Sequence, residues 1–200
     1  MNIQQLSLGI FYTLVFPGLL FTAVVGLFLT WVDRKVAAVV QSRIGPPWFQ
    51  PYADIGKLVN KKMLLPRGSS AVGFIAAPVL AVTGATLVAV IVLRALIDPA
   101  TGFVGDLIVL LYFSALPALA LIIGGASSRS PFGAIGAGRE MSMVLAYEVG
   151  FLLAIITVVV KVKSVMLGDI NAYQAMNGPI ALSLSGVIAF VVILLCAQAK

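Results

Sequence analysis

An all-α, polytopic transmembrane helix bundle is the fold class this sequence predicts, and three observations predict it. Hydrophobic residues make up 61% of the 200-residue chain and charged residues 10%, against roughly 45–50% and about 25% in soluble domains. The apolar residues fall into runs of about twenty or more, the length a helix needs to cross ~30 Å of hydrocarbon. The cations are segregated: of the 13 Lys and Arg, seven (Arg34, Lys35, Arg43, Lys57, Lys61, Lys62 and Arg67) lie in residues 32–68 with only Asp33 and Asp54 opposing them.

The runs give about five membrane helices in a single membrane domain over residues 1–200. The first covers about 6–31 and contains Pro17 and Gly18. MNIQQ ahead of it lacks the basic region of a cleavable signal, so it reads as a retained first span. The second covers about 71–96, carries Pro78 and Gly, Ala and Val suited to close helix packing, and ends in a polar turn at Asp98, Pro99 and Gly102. The third covers about 104–123 with Pro117. A Gly/Ser-rich gap, GGASSRSPFGAIGAGRE, separates it from the fourth at about 141–160, which stops at Lys161 and Lys163. The fifth occupies about 180–199. Proline inside such spans is tolerated where neighbouring helices cover the freed carbonyl. No soluble domain, internal repeat or matched pair of broken helices of the inverted-repeat transporter kind is visible.

Charge sets the orientation, because short positive loops stay on the cytoplasmic side. With the N-terminus outside, the inner side collects the seven cations of 32–68 plus Arg129, Arg139 and Lys200, and the outer side keeps Arg94, Lys161 and Lys163. This multi-pass cell-membrane topology explains the net charge of +6 and leaves no need for a nucleic-acid partner. There is no histidine and one cysteine, Cys196, inside an apolar run; metal sites, haem ligation and Cys-held iron–sulfur clusters are beyond this chain alone. Any redox cofactor is therefore expected in a partner.

Two regions are candidates for function. In the inner loop, 32–68, Arg34 and Lys35 read as interfacial anchors. RIGPPWFQP, from Arg43 to Pro51, is a rigid non-helical excursion because Gly45 and three prolines restrict it. From about 52 to 65 the helical period returns, with Ile55, Leu58, Val59 and Met63 on one side and Asp54, Lys57 and Lys61 on another, an amphipathic helix at the interface. Asp54 and Lys57 also fit a plain solvated ion pair worth a few tenths of a kcal/mol. In the fourth helix, Glu140 stands at the start and Glu148 lies ~12 Å deeper at 1.5 Å per residue. A carboxylate there costs some kcal/mol in lipid, so it faces protein and is paired, neutral or on an ion path. A packing residue, protonated or paired with arginine, is the structural alternative. Tyr147 shares a face with Glu140 at i, i+7. Asp106 and Arg94 read as interfacial, and Cys196 as a small buried hydrophobe.

VDRKVAAVVQSRIGPPWFQPYADIGKL and GREMSMVLAYEVG resemble the two signature regions of the NADH dehydrogenase subunit 1 family, the membrane subunit of respiratory complex I that joins the electron-transfer arm to the ion-pumping arm. Arg43, Gly45, Pro46, Gln50, Pro51, Asp54 and Lys57 match the first signature; the spacing from Arg139 to Glu148, ending in Tyr147-Glu148, matches the second. The resemblance covers most of the chain. GPPWFQP is a few residues shorter than in complex I members and is similar to the corresponding subunits of energy-converting membrane-bound hydrogenases and their archaeal relatives. That branch implies peripheral hydrogenase-like or sulfur-reducing and iron–sulfur subunits, a [NiFe] site in a partner, antiporter-like membrane neighbours and ferredoxin as electron donor; the complex I branch implies a quinone site.

In either branch the resemblance implies a subunit not catalytic by itself, with no cofactor of its own. Arg43, Gly45, Pro46, Gln50, Asp54 and Lys57 are implied to dock or sense the peripheral arm. Arg139, Glu140, Tyr147 and Glu148 are implied in the ion path for H⁺ or Na⁺. The family also implies about eight membrane helices and an acidic inner loop after the fifth, so the chain is expected to be a fragment or one half of a split subunit. A stand-alone secondary transporter and a purely structural anchor are the rival readings of the same residues.

Overall fold

In the computed structural model the described residues are 3–98 and 102–199, with side chains described from residue 7; Pro99, Lys200 and the first two residues of MNIQQ lie outside them. The described elements are helical throughout, and four helical stretches are long and apolar enough to cross a membrane. The chain divides into two compact units, Met1–Leu65 and Pro66–Lys200.

The first unit contains α1 (Ile3–Leu14), α2 (Leu19–Val40) and α3 (Gln50–Val59). The single helix expected over 6–31 is two helices, broken at residues 15–18 where Pro17 removes a backbone donor and crowds the preceding turn. Pro17 is fully buried, and the Phe16–Pro17 peptide is cis. At its other end α2 runs nine residues past Trp31 (31 to 40), so Asp33, Arg34 and Lys35 are helical and not loop. The amphipathic helix is shorter than the expected 52–65. It starts at Gln50, with Pro51 in the first turn where a missing N–H is harmless, and ends at Val59, leaving Lys61, Lys62 and Met63 outside it.

The second unit is built on α4 (Ala71–Ile97), α5 (Asp106–Ser127), α6 (Pro131–Val162), α7 (Leu167–Asn177) and α8 (Leu184–Ala199), with a 3₁₀ turn at Ile180–Leu182. Short connections make α4, α5 and α6 successive antiparallel neighbours, and α8 packs on α6. Pro78 and Pro117 sit inside α4 and α5 without ending them. Asp106, expected at the interface, is 3% exposed and accepts the Phe103 N–H at 3.0 Å across the turn that leads into α5. Much of the outer surface is large apolar side chains, among them Val72, Val104 and Phe132, each at least 80% exposed, as a lipid-facing surface requires.

The largest departure from the sequence reading is the Gly/Ser-rich gap. Its first four residues finish α5, and α6 begins at Pro131, ten residues before the expected start at 141. Only Ser128, Arg129 and Ser130 remain between the helices, with Arg129 in the left-handed region at φ 53°. Glycine weakens a water-exposed helix, but between lipid-embedded helices it lets backbones approach closely. A Cβ on Gly125 would stand 2.9 Å from the Gly133 carbonyl oxygen, and one on Gly133 would stand 2.8 Å from that of Gly125. The run expected at 180–199 resolves into the 3₁₀ turn and the 16-residue α8, ~24 Å long at 1.5 Å per residue. The stretch between the expected fourth and fifth spans, to which the sequence reading assigns no element, holds α7.

Candidate functional site

The inner-loop residues assemble on α2. Trp31 donates its indole N–H to the Pro46 carbonyl at 3.0 Å, and the Arg43 N–H bonds the Ala38 carbonyl at 2.8 Å. Gly45 sits against Lys35 and Ala38 so closely that a Cβ would meet Lys35 Cδ at 2.6 Å and Ala38 Cβ at 3.3 Å. Trp31, Lys35 and Ala38 are spaced i, i+4, i+7, one face of a helix, so the excursion that the prolines stiffen is laid along that face. Tyr52 at the start of α3 donates its hydroxyl to the Val24 carbonyl at 3.0 Å, a second tie within the same unit.

Two of the expected residues, both on α3, and one cation of α2 meet on the Asp54 carboxylate. Asp54 Oδ1 accepts from Gln50 Nε2 at 3.2 Å and lies 4.0 Å from Lys57 Nζ. Its Oδ2 accepts from Arg34 Nη1 at 3.4 Å. Arg34, read from sequence as an anchor, thus belongs to the cluster. The available signal was the helical spacing from Trp31, visible once α2 is continued to Val40. With the Asp54 side chain 39% exposed and its cations more so, the cluster is a solvated charge network whose individual pairs contribute ~1 kcal/mol or less. Arg43, by contrast, is exposed and makes no ion pair with Asp54 within 4.0 Å.

The second group lies on α6. Glu148 borders a cavity of about 580 Å³ between α5 and α6, lined almost wholly by aliphatic side chains such as Leu111, Leu152 and Ile156. It also borders a smaller one of about 200 Å³ with Ser114, Tyr147 and Cys196. Among the described residues Glu148 has no ion pair within 4.0 Å. Tyr147 is buried against Ala118, Val144, Ile122 and Cys196, and its hydroxyl has no hydrogen-bond partner among the described residues. Ser114 and Cys196 come from α5 and α8, and nothing in the linear order pairs them with the Tyr-Glu motif.

The structure separates the other two α6 residues from this pair. Glu140 is half-buried and two turns towards the helix start, and it borders neither cavity. Arg139 is exposed; nine residues from Glu148 at 100° each put the two on opposite sides of α6. The arrangement provides one carboxylate in apolar surroundings with a buried, uncommitted phenol beside it. Such a group can take up or release a proton or a small cation; it cannot by itself carry electrons.

Residues 13–200 match the family model described as NADH dehydrogenase. The H subunit of NADH-quinone oxidoreductase from Desulfotalea psychrophila is 36% identical over 154 residues, covering 74% of this chain and 46% of that one. Its counterpart of the same name in Brucella ovis is 34% identical over 183 residues, covering 83% and 52%. A chain in the structure of the membrane-bound sulfane sulfur reductase, an archaeal respiratory membrane complex, superposes with a TM-score of 0.74 at 28% identity, covering 90% of this chain and 59% of that one. The chain thus spans about half the length of the curated relatives it matches.

Proposed function

The chain belongs to the NADH dehydrogenase family, and from that membership we propose that it is the membrane subunit of a complex I-like oxidoreductase that anchors a peripheral electron-transfer module and couples its redox chemistry to H⁺ or Na⁺ translocation. The observation that carries the coupling role is Glu148, a carboxylate along a 32-residue membrane helix that borders an apolar cavity and has no ion pair within 4.0 Å among the described residues. A charge in that setting is costly enough that its proton or cation responds to charge introduced nearby. The Asp54 cluster, with Arg34, Gln50 and Lys57, is the cytoplasmic surface that docks the peripheral arm and registers its redox state. In this reading the N-terminus is outside and residues 32–68 are cytoplasmic.

The compact GPPWFQP turn, held by Trp31 and Gly45, supports the branch of energy-converting hydrogenases and their sulfur-reducing relatives. There the iron–sulfur clusters and any [NiFe] site belong to partner subunits, ferredoxin donates the electrons, and antiporter-like subunits lie alongside. A quinone-reducing complex is the second reading, favoured by the names of the relatives.

Purification through a tag on this chain in gentle detergent, with identification of copurifying proteins and metal analysis, tests the assignment. Nickel together with iron–sulfur proteins is expected. Iron without nickel moves the chain to the quinone-linked or sulfur-reducing complexes. Recovery of the chain alone, stable, metal-free and transporting an ion, overturns the proposal in favour of a secondary transporter.

A further inference from the structure

At the end of α6 remote from Arg139, an open cavity of about 300 Å³ is lined by Lys161, Tyr173, Asn177, Gly178, Ile180 and Ser183 among others. Its size is at the lower end for small-molecule sites, ~300–1,000 Å³. Lys161 closes the apolar run Val158-Val159-Val160 and is half-buried; its ammonium donates to the Ser183 hydroxyl. That hydroxyl in turn donates to the Ile180 carbonyl at 2.7 Å and accepts the Gly186 N–H at 3.2 Å. Ser183 therefore stands at the start of α8, where unpaired amides leave a partial positive charge.

No carboxylate of the described residues lies within 4.0 Å of Lys161. The nearest acid in sequence, Asp169, is exposed and held instead by the Ser164 hydroxyl at 2.5 Å. A half-buried ammonium and a helix start thus converge on one cavity with no carboxylate of the described residues within 4.0 Å of that ammonium, and burying an unanswered charge is unfavourable. Leu182, in the cavity's lining, is 80% exposed, and Val160, Met176 and Leu184, chain neighbours of lining residues, are 69%, 86% and 82% exposed. A cationic floor with apolar side chains at its rim complements an anionic headgroup attached to hydrocarbon.

We propose that this cavity binds the phosphate of a membrane phospholipid, with Lys161 as the charged contact and the acyl chains along Val160, Leu182 and Leu184. Lysine suits the role as a point charge with three donors. Lys163, exposed at φ 60° beyond the helix end, does not line the cavity and serves as the internal control.

The test is native mass spectrometry of the detergent-purified protein, in whatever assembly it is recovered, after incubation in micelles doped with phosphatidylglycerol or phosphatidylcholine. Retention of phosphatidylglycerol is expected to weaken about tenfold in Lys161→Gln, the scale of one charge-assisted hydrogen bond. It is expected to recover in Lys161→Arg and to stay unchanged in Lys163→Gln. Equal retention by wild type and Lys161→Gln overturns the proposal, as does an equal loss in Lys163→Gln, which would reveal attraction by net charge alone. Inorganic phosphate that displaces the lipid completely, or binds where phosphatidylglycerol does not, would assign the site to a soluble anion and overturn the lipid claim.

Discussion

The two units solve the problem of a carboxylate near lipid in opposite ways. Asp54 is answered at once by Arg34, Gln50 and Lys57, in a cluster open to water. Glu148 sits among aliphatic side chains with only the Tyr147 phenol, the Ser114 hydroxyl and the Cys196 thiol for polar company in its smaller cavity. The first arrangement fixes a charge and offers a surface whose potential a neighbour can sense. The second leaves a carboxylate in apolar surroundings with no ion pair within 4.0 Å among the described residues.

The contrast is broken most directly by Glu148→Gln, which keeps shape and removes charge. Ion uptake by proteoliposomes of the assembled complex is expected to fall at least about tenfold, equivalent to ~1.4 kcal/mol or more; unchanged uptake and turnover would remove Glu148 from the path. Poor assembly, with normal pumping in the fraction that does assemble, would make it a packing group.

Gly84→Val tests whether the frame of the second unit holds Glu148 in place. A Cβ at Gly84 would stand 2.6 Å from Leu116 Cβ and 3.1 Å from the Phe113 carbonyl oxygen, so α4 and α5 must separate. A loss of about 1–3 kcal/mol is expected, read as earlier thermal unfolding in detergent.

Tyr147→Phe sharpens the comparison, because the buried hydroxyl lacks a partner among the described residues. Its removal is expected to leave stability unchanged or raise it by about 1 kcal/mol, since an unsatisfied buried polar group costs about 1–3 kcal/mol. A slowed ion step at undiminished stability would give the phenol a functional part; a destabilised protein would mean that the hydroxyl has a partner.

The smallest effect on folding is expected from Asp54→Asn, a few tenths of a kcal/mol, because its ion pairs are exposed. Its effect should instead appear as weaker association of the peripheral subunits, with a shallower dependence on salt than in wild type. Binding and salt dependence equal to wild type would reduce the cluster to surface decoration.

The membrane class and the positions of the long apolar helices were legible in composition and run length, and the Tyr147-Glu148 motif in its cost to lipid. The boundaries were less legible for identifiable reasons. Residues 124–140 read as a gap because glycine is a breaker in water, whereas here its neighbour is another helix backbone. That misreading set Glu140 at a helix start, when it lies nine residues beyond Pro131 (131 to 140) within α6. Arg34 read as an interfacial anchor because the first span is expected to end at Trp31, where hydropathy falls but the helix does not. Ser114 and Cys196 come from separate helices, and only the packing of α5, α6 and α8 brings them to Glu148.

A close backbone approach between α5 and α6 joins positions eight apart in sequence, Gly125 and Gly133, across a three-residue turn. Closing so short a loop costs little chain entropy, so this contact needs no other part of the protein to be present. The two helices can therefore pair as soon as both have left the ribosome and enter the bilayer together as a hairpin. The polar ends of Glu148 and Ser114 would then be shielded from lipid by each other's helices during insertion, before α8 arrives to complete their pocket.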